Sequence, residues 1–575
     1  MPRPLPSGIP VISLPLPALA DKLAANLPLW AMGLEEPGLA RHLAARALTS
    51  GDADLAACGL GLALWGWQRA PLDLPRAELL VQAAASRPSI PIPAAIFASA
   101  LLDHLATRLP APSQDAELAA LLSSGETALV VRTLMPLLRD PARGVGWLAA
   151  AWDGLLRLGG LDLCRAALDL CPWPQHLLPL RQRLAAEAAF LLGPPEAALE
   201  ALQTVDEAVF GLWAAYARAE LLLRLGEAGA GIGPDGESGR VETGRDALAE
   251  VFRALPWHTH LGLKLHALGF PPPVAQPAYS ASAVILVYSW NKAALARQTL
   301  ESLARTDYGE ARILCLDNGS TDGTGEVMQA CAGLFPPGAL RVIRLPVNIG
   351  APAARNWLLA QPEARAAEWA VFLDDDVILP ERWLLRLLGA GRAEPTCGAA
   401  GCRIVSATPP ACLQSADYQL FLPDGQPRTF RDLPENIVVF DNCAGGLDVG
   451  LFSYARPATH VSGCCHALRT SVLAELGGFD IRFSPTQFDD LDRDLRAAVA
   501  GRPAVYAGDL AIAHVQHSSL AKAKGAAAMG QVFGNKIKLE GKYAQAEIDA
   551  AARRGLEALR ADMARKWVQL GGVAL

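Results

Sequence analysis

The chain has 575 residues, of which 51% are hydrophobic and 19% are charged, and its formal net charge is −7. That length is too great for a single hydrophobic core, so we expect at least two domains, and the composition excludes an intrinsically disordered chain. The negative charge argues against a protein that binds nucleic acid through a general basic surface.

The eleven cysteines include no C-x-x-C pair, and Cys464 and Cys465 are adjacent in the sequence. That spacing indicates neither a zinc site nor a disulfide framework, so we expect reduced, mostly buried thiols in a cytoplasmic protein. No uncharged apolar run reaches the roughly 18 residues that a membrane-spanning helix needs. The sequence therefore predicts no transmembrane segment.

The first half of the chain, from about residue 35 to 268, is rich in Ala and Leu at helical spacing, with Gly and Pro at its turns. The segments "WAAYARAELLLRLGE" (213–227) and "GRDALAEVFRALPWH" (244–258) indicate paired helices. Such pairs resemble tetratricopeptide-type helical repeats, which present a concave surface to a partner protein. A plain helical bundle is the alternative, and both interpretations predict an all-α domain over residues 1–268.

A Pro-rich connector, "GFPPPVAQPAYSASA", covers residues 269–283 and has no apolar periodicity. Beyond it, apolar strand patterns such as "AVILVYS", "ARILCLD" and "EWAVFLDDD" alternate with amphipathic helices. This alternation predicts a mostly parallel sheet with helices on both faces. We expect this α/β domain at residues 284–520, followed by a helical C-terminal tail at residues 521–575.

Carboxylates follow two of the predicted strands. Asp317 ends "ARILCLD", and Asp374, Asp375 and Asp376 interrupt the apolar run "VFLDDDVILP". In open α/β sheets, ligands bind at the carboxyl ends of strands. Adjacent carboxylates raise one another's pKa unless a cation offsets their charge, and Mg²⁺ or Mn²⁺ bound with phosphates and water suits such ligands. The alternative is a solvated turn, in which Asp is common.

A series of motifs in the second half of the chain keeps the order of one enzyme family. In chain order they are "ILVYSWNKAALARQTLESL" (285–303), "CLDNGSTDGT" (315–324), "NIGAPAARN" (348–356), "FLDDDV" (372–377), "HVSGCCHALRTSVLAELGGFDIRF" (460–483), "FDDLDRDLRAAVAG" (488–501) and "AIAHVQHSS" (511–519). Their order and spacing resemble the family 2 glycosyltransferases. The resemblance covers residues 283 to 520 and implies the GT-A fold, a Rossmann-like mixed sheet that binds a nucleotide-diphospho-sugar.

The resemblance implies a donor site at the strand ends. Asp317 would accept a hydrogen bond from the ring N–H of a uracil-like base, and Trp290 would stack on that base. Asp374 would face the ribose hydroxyls, and Arg355 would contact the diphosphate or pair with a helix neighbour. The residues assigned to the donor nucleotide are Ser289, Trp290, Asn291, Asp317, Asn318, Arg355, Asp374 and Asp375.

The resemblance also implies a metal cofactor, Mg²⁺ or Mn²⁺. Asp376 would bind this metal, which bridges the donor diphosphate and neutralises the charge that develops on the leaving group. His514 matches a late histidine of the family that is often a further ligand. His517 is the competing candidate, and a buried structural imidazole is the alternative for either histidine.

The acceptor hydroxyl has to lose a proton, which requires one carboxylate base. The acidic pair of the family corresponds to Asp489 and Asp490, and we predict Asp490 as the base. Gly463 and Cys464 would lie on the acceptor side. The alternative is a helix that is merely charged, because acids favour a helix N-terminus, and Asp489 with Arg493 and Asp492 with Arg496 are i,i+4 pairs.

These assignments predict a metal-dependent inverting glycosyltransferase of the hexosyl type. It would move a sugar from a UDP- or dTDP-linked donor to a hydroxyl of a surface glycan, lipid-linked, polysaccharide or glycoprotein acceptor. A nucleotidyltransferase on a related sheet is the alternative, although "YSWNKAALA" replaces its Gly-rich phosphate loop. A scaffold that binds partners through its helical half is another. We expect a cytoplasmic location. Lys536, Lys538 and Lys542 indicate a solvated helix face, and contact with the inner face of the membrane is the alternative.

Overall fold

The chain folds into a helical half and a sheet-containing half. The structure, a computed structural model, describes residues 12, 14–27, 37–86, 92–228, 234–420, 445–515 and 526–572, with short segments at 429–430, 433–434, 436–437, 439–441 and 443. Among the helices of these residues, none combines the length and the apolar character that crossing a membrane requires.

The described residues from 16 to 269 contain fourteen α-helices and no strand, which confirms the prediction of an all-α half. Several helices begin with side-chain caps or prolines, as at α3, where the Asp52 carboxylate accepts the N–H groups of Asp54 and Leu55. The helices are α1 (Leu16–Asn26), α2 (Pro37–Leu48), α3 (Ala53–Arg69), α4 (Leu74–Ala85), α5 (Pro93–Leu105), α6 (Pro112–Ser123), α7 (Thr127–Leu138), α8 (Gly144–Arg157), α9 (Leu161–Leu170), α10 (Leu178–Leu192), α11 (Pro195–Leu202), α12 (Glu207–Ala228), α13 (Pro234–Ala254) and α14 (Thr259–Gly269). Whether they form a repeat or a plain bundle stays a prediction.

The Pro-rich connector packs against the second half of the protein. After α14 ends at Gly269, the chain runs through the prolines to a short 3-10 helix, Pro277–Ser282, that leads into the first strand. The Ala275 N–H donates to the carbonyl of Leu385, 2.9 Å away. The connector is therefore joined to the α/β half at Ala275 by a backbone hydrogen bond.

A ten-stranded mixed sheet forms the centre of the second half, in the order β12-β14-β6-β13-β4-β1-β2-β3, with β5 paired to β14 and β7 to β6. Four neighbouring strands, β4, β1, β2 and β3, run parallel to one another. The next strand, β13, is antiparallel to its neighbours β4 and β6. The strands of this half are β1 (Ala283–Ser289), β2 (Arg312–Asp317), β3 (Leu340–Arg344), β4 (Trp369–Leu373), β5 (Val377–Ile378), β6 (Ala399–Ser406), β7 (Leu413–Ser415), β8 (Tyr418–Leu420), β9 (Thr429–Phe430), β10 (Leu433–Pro434), β11 (Val439–Asp441), β12 (Ala455–Ala458), β13 (Cys465–Arg469) and β14 (Ala504–His514).

Helices cover both faces of this sheet, which confirms the predicted α/β fold class. Alternate residues of β1 belong to different cores: Val284 and Leu286 pack in one, and Ile285 and Val287 pack in the other. The helices of this half are α15 (Ala293–Ala304), α16 (Thr324–Cys331), α17 (Ala351–Leu359), α18 (Pro362–Ala366), α19 (Trp383–Ala393), α20 (Thr470–Leu476), α21 (Asp489–Val499), α22 (Ala526–Glu540) and α23 (Gln545–Gly572).

The core on one face of the sheet continues into the helical half. The buried cluster that contains Val284 also contains Trp67 and Trp213 of the N-terminal helices and Trp567 of α23. Two turns earlier on α23, the Arg560 guanidinium donates to the Ala24 carbonyl of α1 at 2.7 Å. The C-terminal helix thus packs on both halves, and the proposed division into four segments stays a prediction.

The C-terminal lysines are used within the protein. Lys536 is buried and donates to the Ile437 carbonyl at 2.9 Å. Lys538 donates to the Arg482 carbonyl, and Lys542 pairs with Asp480 at 2.7 Å. The expectation that these three side chains form a solvated or membrane-facing surface is wrong for Lys536 and Lys542, because buried or partly buried acceptors already bind their ammonium groups.

Candidate active site

The carboxyl ends of β1 and β2 lie side by side, with Ser289 opposite Asp317 in the parallel register. The Asn318 N–H donates to the Ser289 carbonyl at 2.9 Å. The two loops beyond the strands are joined by Asn291, whose left-handed backbone (φ 52°) lets its side-chain oxygen accept the Thr321 N–H at 2.8 Å. Beside it, the Trp290 ring is 51% exposed, so it is open to a planar ligand.

Asp317 is buried at this edge and keeps one carboxylate oxygen without a close donor. Its Oδ1 atom accepts the Ser320 N–H at 2.9 Å, while Oδ2 lies 3.5 Å from Nε of Arg344. A Cβ atom on Gly325 would come within 2.3 Å of Oδ2 and 2.6 Å of Nε of Arg344, so glycine at this position permits their ion pair. The Asn318 amide is used internally, because its oxygen accepts the Ile349 N–H at 3.1 Å.

The three aspartates after β4 are charge-compensated by a lysine that the sequence analysis did not select. Lys292 Nζ lies 2.9 Å from Asp375 and 3.0 Å from Asp376. Asp375 also accepts the Ser289 hydroxyl. Asp375 and Asp376 are buried, whereas the Asp374 side chain is 30% exposed and faces the open side of the cluster. The predicted need for a cation is therefore met in part by the protein itself.

The pKa values of this cluster follow from burial and from its cations. Burial, together with the neighbouring carboxylates, raises the pKa of Asp374 to about 6 in spite of His514 and Arg355. Burial also raises the pKa of Asp375, although Lys292 opposes it. For Asp376 the contacts with His514 and Lys292 outweigh burial and lower the pKa. Asp374 is consequently the carboxylate whose ionisation a further cation would favour most.

His514 ends β14 and faces the aspartates. Its Nε2 atom lies 2.8 Å from Asp376 and 3.9 Å from Asp374, and its Nδ1 atom lies 2.6 Å from Oε1 of Gln414 on β7. An amide oxygen and a carboxylate oxygen both only accept, so Nδ1 donates to Gln414 and Nε2 donates to Asp376, and Nε2 would have to release its proton to bind a cation. Burial opposes protonation of this ring, but the two aspartates raise its pKa.

This arrangement fits a hard divalent cation. Asp374, Asp376 and the Nε2 atom of His514 supply the carboxylate and imidazole ligands that Mn²⁺ or Mg²⁺ takes together with phosphates and water, and Gln414 fixes the imidazole tautomer. Cys464, predicted for the acceptor side, also reaches this place: one ligand atom each of Asp374, Cys464 and His514 lie within 4.8 Å of one another. His517 lies outside the described residues.

The two acids at the start of α21 have different surroundings. Asp489 is buried and forms an ion pair with Arg355, with Oδ2 2.7 Å from Nη1. Asp490 is half-buried, and its Oδ2 atom accepts the N–H of Gly463 at 3.1 Å. A Cβ atom on Gly463 would lie 2.5 Å from that oxygen, so glycine permits the contact. Of the two pairs that the charged-helix alternative expects, Asp489 binds Arg355 instead of Arg493, whereas Asp492 does pair with Arg496, with Oδ2 3.1 Å from Nε.

The turn before α21 has an unusual backbone. Gln487 and Phe488 both have left-handed conformations, with φ values of 83° and 69°. Such residues are uncommon outside glycine and cluster at functional sites. Asn535 of α22 is fully buried, and its Nδ2 atom lies 2.8 to 3.2 Å from three carbonyl oxygens of this turn, those of Phe483, Thr486 and Gln487. Asn535 therefore fixes the turn that delivers Asp489 and Asp490.

Behind Asp490, two imidazoles share one carboxylate. Asp494 accepts from His460 at 2.8 Å and from His466 at 2.9 Å. Burial opposes the charge of Asp490, but His460, Arg355 and His466 lower its pKa. The neighbouring Asp489 has a raised pKa, because burial and the charge of Asp490 outweigh Arg355. Asp490 is thus the acid of the pair that keeps its negative charge most readily.

The structure places the described members of the predicted set near the carboxyl ends of the strands and the start of α21, and their roles stay predictions. Arg355 binds Asp489 rather than lying among the strand-end aspartates, which corresponds to the pairing alternative of the sequence analysis. Three participants were missed: Lys292, Gln414 and Asn535. Lys292 follows directly after "YSWN", so its position was a usable signal, whereas nothing in the sequence places Gln414 or Asn535 near the acids.

Comparison with known proteins places part of the chain in a family. Residues 284–477 match the family model described as glycosyl transferase family 2. The chain is 27% identical over 231 residues to the O-antigen biosynthesis protein RfbC of Myxococcus xanthus. That match covers 39% of this chain and only 16% of the relative, so the chain corresponds to a small part of the relative's length.

Two solved structures are similar at low sequence identity. The mannosyltransferase PcManGT of Pyrobaculum calidifontis, in complex with GDP-Man and Mn²⁺, is 22% identical, with 58% of this chain and 88% of that chain covered and a TM-score of 0.34. GalNAc-T7 with UDP, GalNAc and Mn²⁺ is 10% identical, with coverage of 52% and 58% and a TM-score of 0.35. The family match includes the strand-end aspartates and the Gly463–Cys464 pair, and residues 284–477 of this chain are a glycosyl transferase family 2 domain.

Proposed function

We propose that the protein is an inverting, metal-dependent glycosyltransferase that moves a hexosyl group from a nucleotide-diphospho-sugar to a hydroxyl acceptor. The observation that carries this proposal is the pair Gly463 and Cys464. The N–H of Gly463 binds Asp490, and the thiol of the next residue lies within 4.8 Å of ligand atoms of Asp374 and His514. Consecutive Cα atoms are about 3.8 Å apart, so the base and the metal-binding acids border one small space.

The donor nucleotide would lie across the carboxyl ends of β1, β2 and β4. Oδ2 of Asp317 would accept a ring N–H of the base in place of the half-exposed Arg344 side chain that lies 3.5 Å away, and the exposed Trp290 ring offers a stacking surface. A uracil or thymine base supplies the ring N–H that an ionised carboxylate recognises, which favours a UDP- or dTDP-linked sugar. Asp374, the exposed member of its cluster, would face the ribose.

The diphosphate would lie beside Lys292 and the acids after β4. Asp374, Asp376 and His514 are the residues that would hold Mn²⁺ or Mg²⁺, which supplies charge neutralisation at the leaving phosphate when it is bound. Lys292 already lies 2.9 to 3.0 Å from Asp375 and Asp376, and its pKa is raised by those two acids although burial opposes its charge. A permanently protonated ammonium at this position would stabilise the negative charge of the departing nucleoside diphosphate.

Asp490 would act as the base toward the acceptor. It would take the proton of the acceptor hydroxyl as the oxygen attacks the anomeric carbon from the face opposite the diphosphate. The new C–O bond forms while the bond from the anomeric carbon to the phosphate oxygen breaks, and the electron pair stays on the diphosphate. The lowered pKa of Asp490 keeps it ionised at neutral pH, and the N–H of Gly463 fixes its position.

The name of the M. xanthus relative supports a role in surface polysaccharide synthesis, with a glycan or lipid-linked acceptor. We place this activity in the cytoplasm, where nucleotide sugars are made, with access to the inner face of the membrane. A protein partner of the helical half belongs to the same proposal, although no contact surface for one is singled out by the described residues.

The test is a metal-dependent hydrolysis and binding screen. Purified full-length protein is mixed with UDP-, dTDP- and GDP-linked sugars, with and without Mn²⁺, and release of the nucleoside diphosphate is measured. We expect slow hydrolysis of one UDP- or dTDP-sugar that depends on the metal and vanishes in Asp376→Ala. Asp162→Asn, at a side chain that is 99% exposed on α9, is the control. Absence of metal-dependent nucleotide affinity across the panel would overturn the proposal.

A further inference from the structure

A thiol lies among the strand-end acids, and the transfer reaction proposed above does not use it. Cys464 is 5% exposed at the start of β13, and its Sγ atom makes no hydrogen bond within the described part of the chain. It points into the space between Asp374 and His514, and one ligand atom of each of the three residues lies within 4.8 Å of the others. The sulfur, the carboxylate and the imidazole together form a set of possible metal ligands.

These three ligands favour a different cation from the one proposed for catalysis. Mg²⁺ and Mn²⁺ prefer oxygen ligands, whereas thiolate sulfur together with imidazole nitrogen and carboxylate oxygen is a donor set of Zn²⁺. The spacing of the cysteines in the sequence does not predict this ligand set, because its three residues come from the end of β4, the start of β13 and the end of β14.

The geometry is close to that of a zinc site with an open position. Zinc binds sulfur at about 2.3 Å and nitrogen or oxygen at about 2.0 to 2.2 Å, so ligand atoms of a tetrahedral site lie about 3.5 Å apart. The three side chains have to approach by about 1 Å, which rotations about their side-chain bonds can supply. Gln414 already holds the Nδ1 proton of His514 and thereby presents Nε2, as outer ligands of metal-bound histidines do.

We propose that Asp374, Cys464 and His514 bind Zn²⁺ with water in the fourth position, and that zinc bound there competes with the catalytic cation. The Cys464 thiol and Nε2 of His514 each give a proton to solvent as the zinc–sulfur and zinc–nitrogen bonds form, and the hydrogen bond from Nε2 to Asp376 is lost. Competition follows because both cations need Nε2 of His514 and the Asp374 carboxylate. Zinc binding itself does not depend on the proposed function, but the identity of the competing cation does.

The direct experiment uses X-ray absorption of the full-length protein with one equivalent of Zn²⁺. We expect one sulfur at about 2.3 Å and nitrogen or oxygen neighbours at about 2.0 Å. Co²⁺ in place of Zn²⁺ should give thiolate-to-metal charge-transfer absorption in the near ultraviolet. A zinc spectrum with nitrogen and oxygen neighbours alone would overturn the proposal without any variant.

Variants assign the sulfur, since the chain has eleven cysteines. Cys464→Ser should remove the cobalt charge-transfer band and weaken Zn²⁺ binding by about tenfold or more relative to Mn²⁺ binding. Cys412→Ser, at a half-buried cysteine elsewhere, is the matched control and should keep the band. If Cys464→Ser does not fold, the X-ray absorption result decides. A band that persists in folded Cys464→Ser contradicts the assignment.

The same titrations separate failure of this proposal from failure of the proposed function. If zinc binds through sulfur but no nucleotide sugar is turned over, the site stands and the transferase proposal falls. If Mn²⁺-dependent turnover is present and Zn²⁺ does not inhibit it competitively with Mn²⁺, the zinc proposal falls and the transferase proposal stands.

Discussion

Arg355 and Asp489 form a buried ion pair, with Nη1 2.7 Å from Oδ2. This pair gives Asp489 different surroundings from Asp490, the next acid at the start of α21. Asp489 is tied to Arg355, whose guanidinium also lies 5.0 Å from the centroid of the Phe479 ring. Asp490, half-buried, accepts backbone N–H groups of Gly463 and Leu491. The geometry therefore favours Asp490 as the acid that reaches an acceptor.

Replacing the two acids should give different results. Asp490→Asn is expected to lower the transfer rate by about 10²-fold or more with little change in donor affinity, because it removes a positioned base. Asp489→Asn leaves the Arg355 charge buried without its partner, which costs about 3–5 kcal/mol of stability. Transfer kinetics and thermal unfolding measure the two effects. If Asp489→Asn abolishes chemistry in a stable protein while Asp490→Asn is active, the roles are reversed.

Lys292 makes a second prediction, about metal affinity without nucleotide. Lys292→Met removes the ammonium that lies between Asp375 and Asp376, so these acids should attract a free divalent cation more strongly. We expect Mn²⁺ affinity, measured by electron paramagnetic resonance of the unbound ion, to rise several-fold while the melting temperature falls. Arg132→Met, at an exposed residue of α7, is the control. A drop in Mn²⁺ affinity would contradict the view that Lys292 offsets these acids.

Much of this architecture could be predicted from the sequence, for a physical reason. Parallel strands such as "AVILVYS" are buried on both faces, so their apolar runs are readable, and carboxylates at their ends necessarily meet at one edge. Asp317 and Asp374 were found in this way. The order of the motifs then indicated the family.

Contacts between segments far apart in the sequence could not be predicted in this way. Gln414 reaches His514 across 100 residues, and Asn535 reaches the turn at Thr486 across 49. Neither residue belongs to a sequence motif or to an apolar repeat, because a single amide side chain in a short strand or a helix has no periodicity of its own. The expectation for Lys536 was wrong for the same reason: a basic residue is usually expected to be exposed, yet Lys536 donates to the Ile437 carbonyl inside the protein.

Asn535 is predicted to be a positioning residue for the base. Its amide bonds the turn whose Gln487 and Phe488 hold left-handed conformations, each of which costs of order 1–3 kcal/mol. Asn535→Ala should therefore lower kcat by more than it changes the donor KM, since the turn relaxes and Asp490 moves. Gln531→Ala, one turn earlier on α22 with a single bond to the Ser484 carbonyl, is the matched control.

The outcome to look for in Asn535→Ala is a split between the two kinetic constants. A variant that loses donor binding and turnover together, or that only melts earlier with unchanged kcat, would mean that Asn535 supports the fold and not the position of the base.

Asp494 gives a prediction about pH. Burial opposes its charge, but His466 and His460 hold the pKa of this carboxyl well below its ordinary value. A carboxyl with a lower pKa in the folded than in the unfolded state stabilises the fold fully above its unfolded pKa, about 4, and loses that contribution as the pH falls further. The melting temperature of the wild type should therefore exceed that of Asp494→Asn at pH 5 to 8, and the difference should shrink below about pH 4.

Asp162→Asn, at a fully exposed position, should show no such difference at any pH. A gap between wild type and Asp494→Asn that widens on acidification would mean that the histidines do not stabilise the ionised form of Asp494.

The helical half contacts the loop before β12 through buried polar groups, and this contact can be measured. The Tyr216 hydroxyl of α12 donates to the Val449 carbonyl at 2.7 Å, and Lys264 of α14 donates to the Gly450 carbonyl at 2.7 Å. Both side chains are buried, and the chain runs from this loop through β12 to Gly463, which binds Asp490 on the predicted acceptor side. The helical half is thus expected to hold the acceptor-side loop in place.

Tyr216→Phe tests this coupling with the smallest change available. It removes one hydroxyl and leaves the Val449 carbonyl buried without its donor, which should cost about 1–3 kcal/mol of unfolding free energy. Tyr308→Phe, at a buried tyrosine of the α/β half, is the matched control and should cost less, because no hydrogen bond of its hydroxyl is seen in the described part of the chain.

If the loop depends on the helical half, Tyr216→Phe should also raise the acceptor KM. The rate of donor hydrolysis should stay within about twofold, because the loss of a single neutral hydrogen bond on the acceptor side does not affect the strand-end acids. Equal losses in donor hydrolysis and acceptor affinity, or no loss of stability relative to Tyr308→Phe, would show that the two halves pack together without this loop depending on the helices.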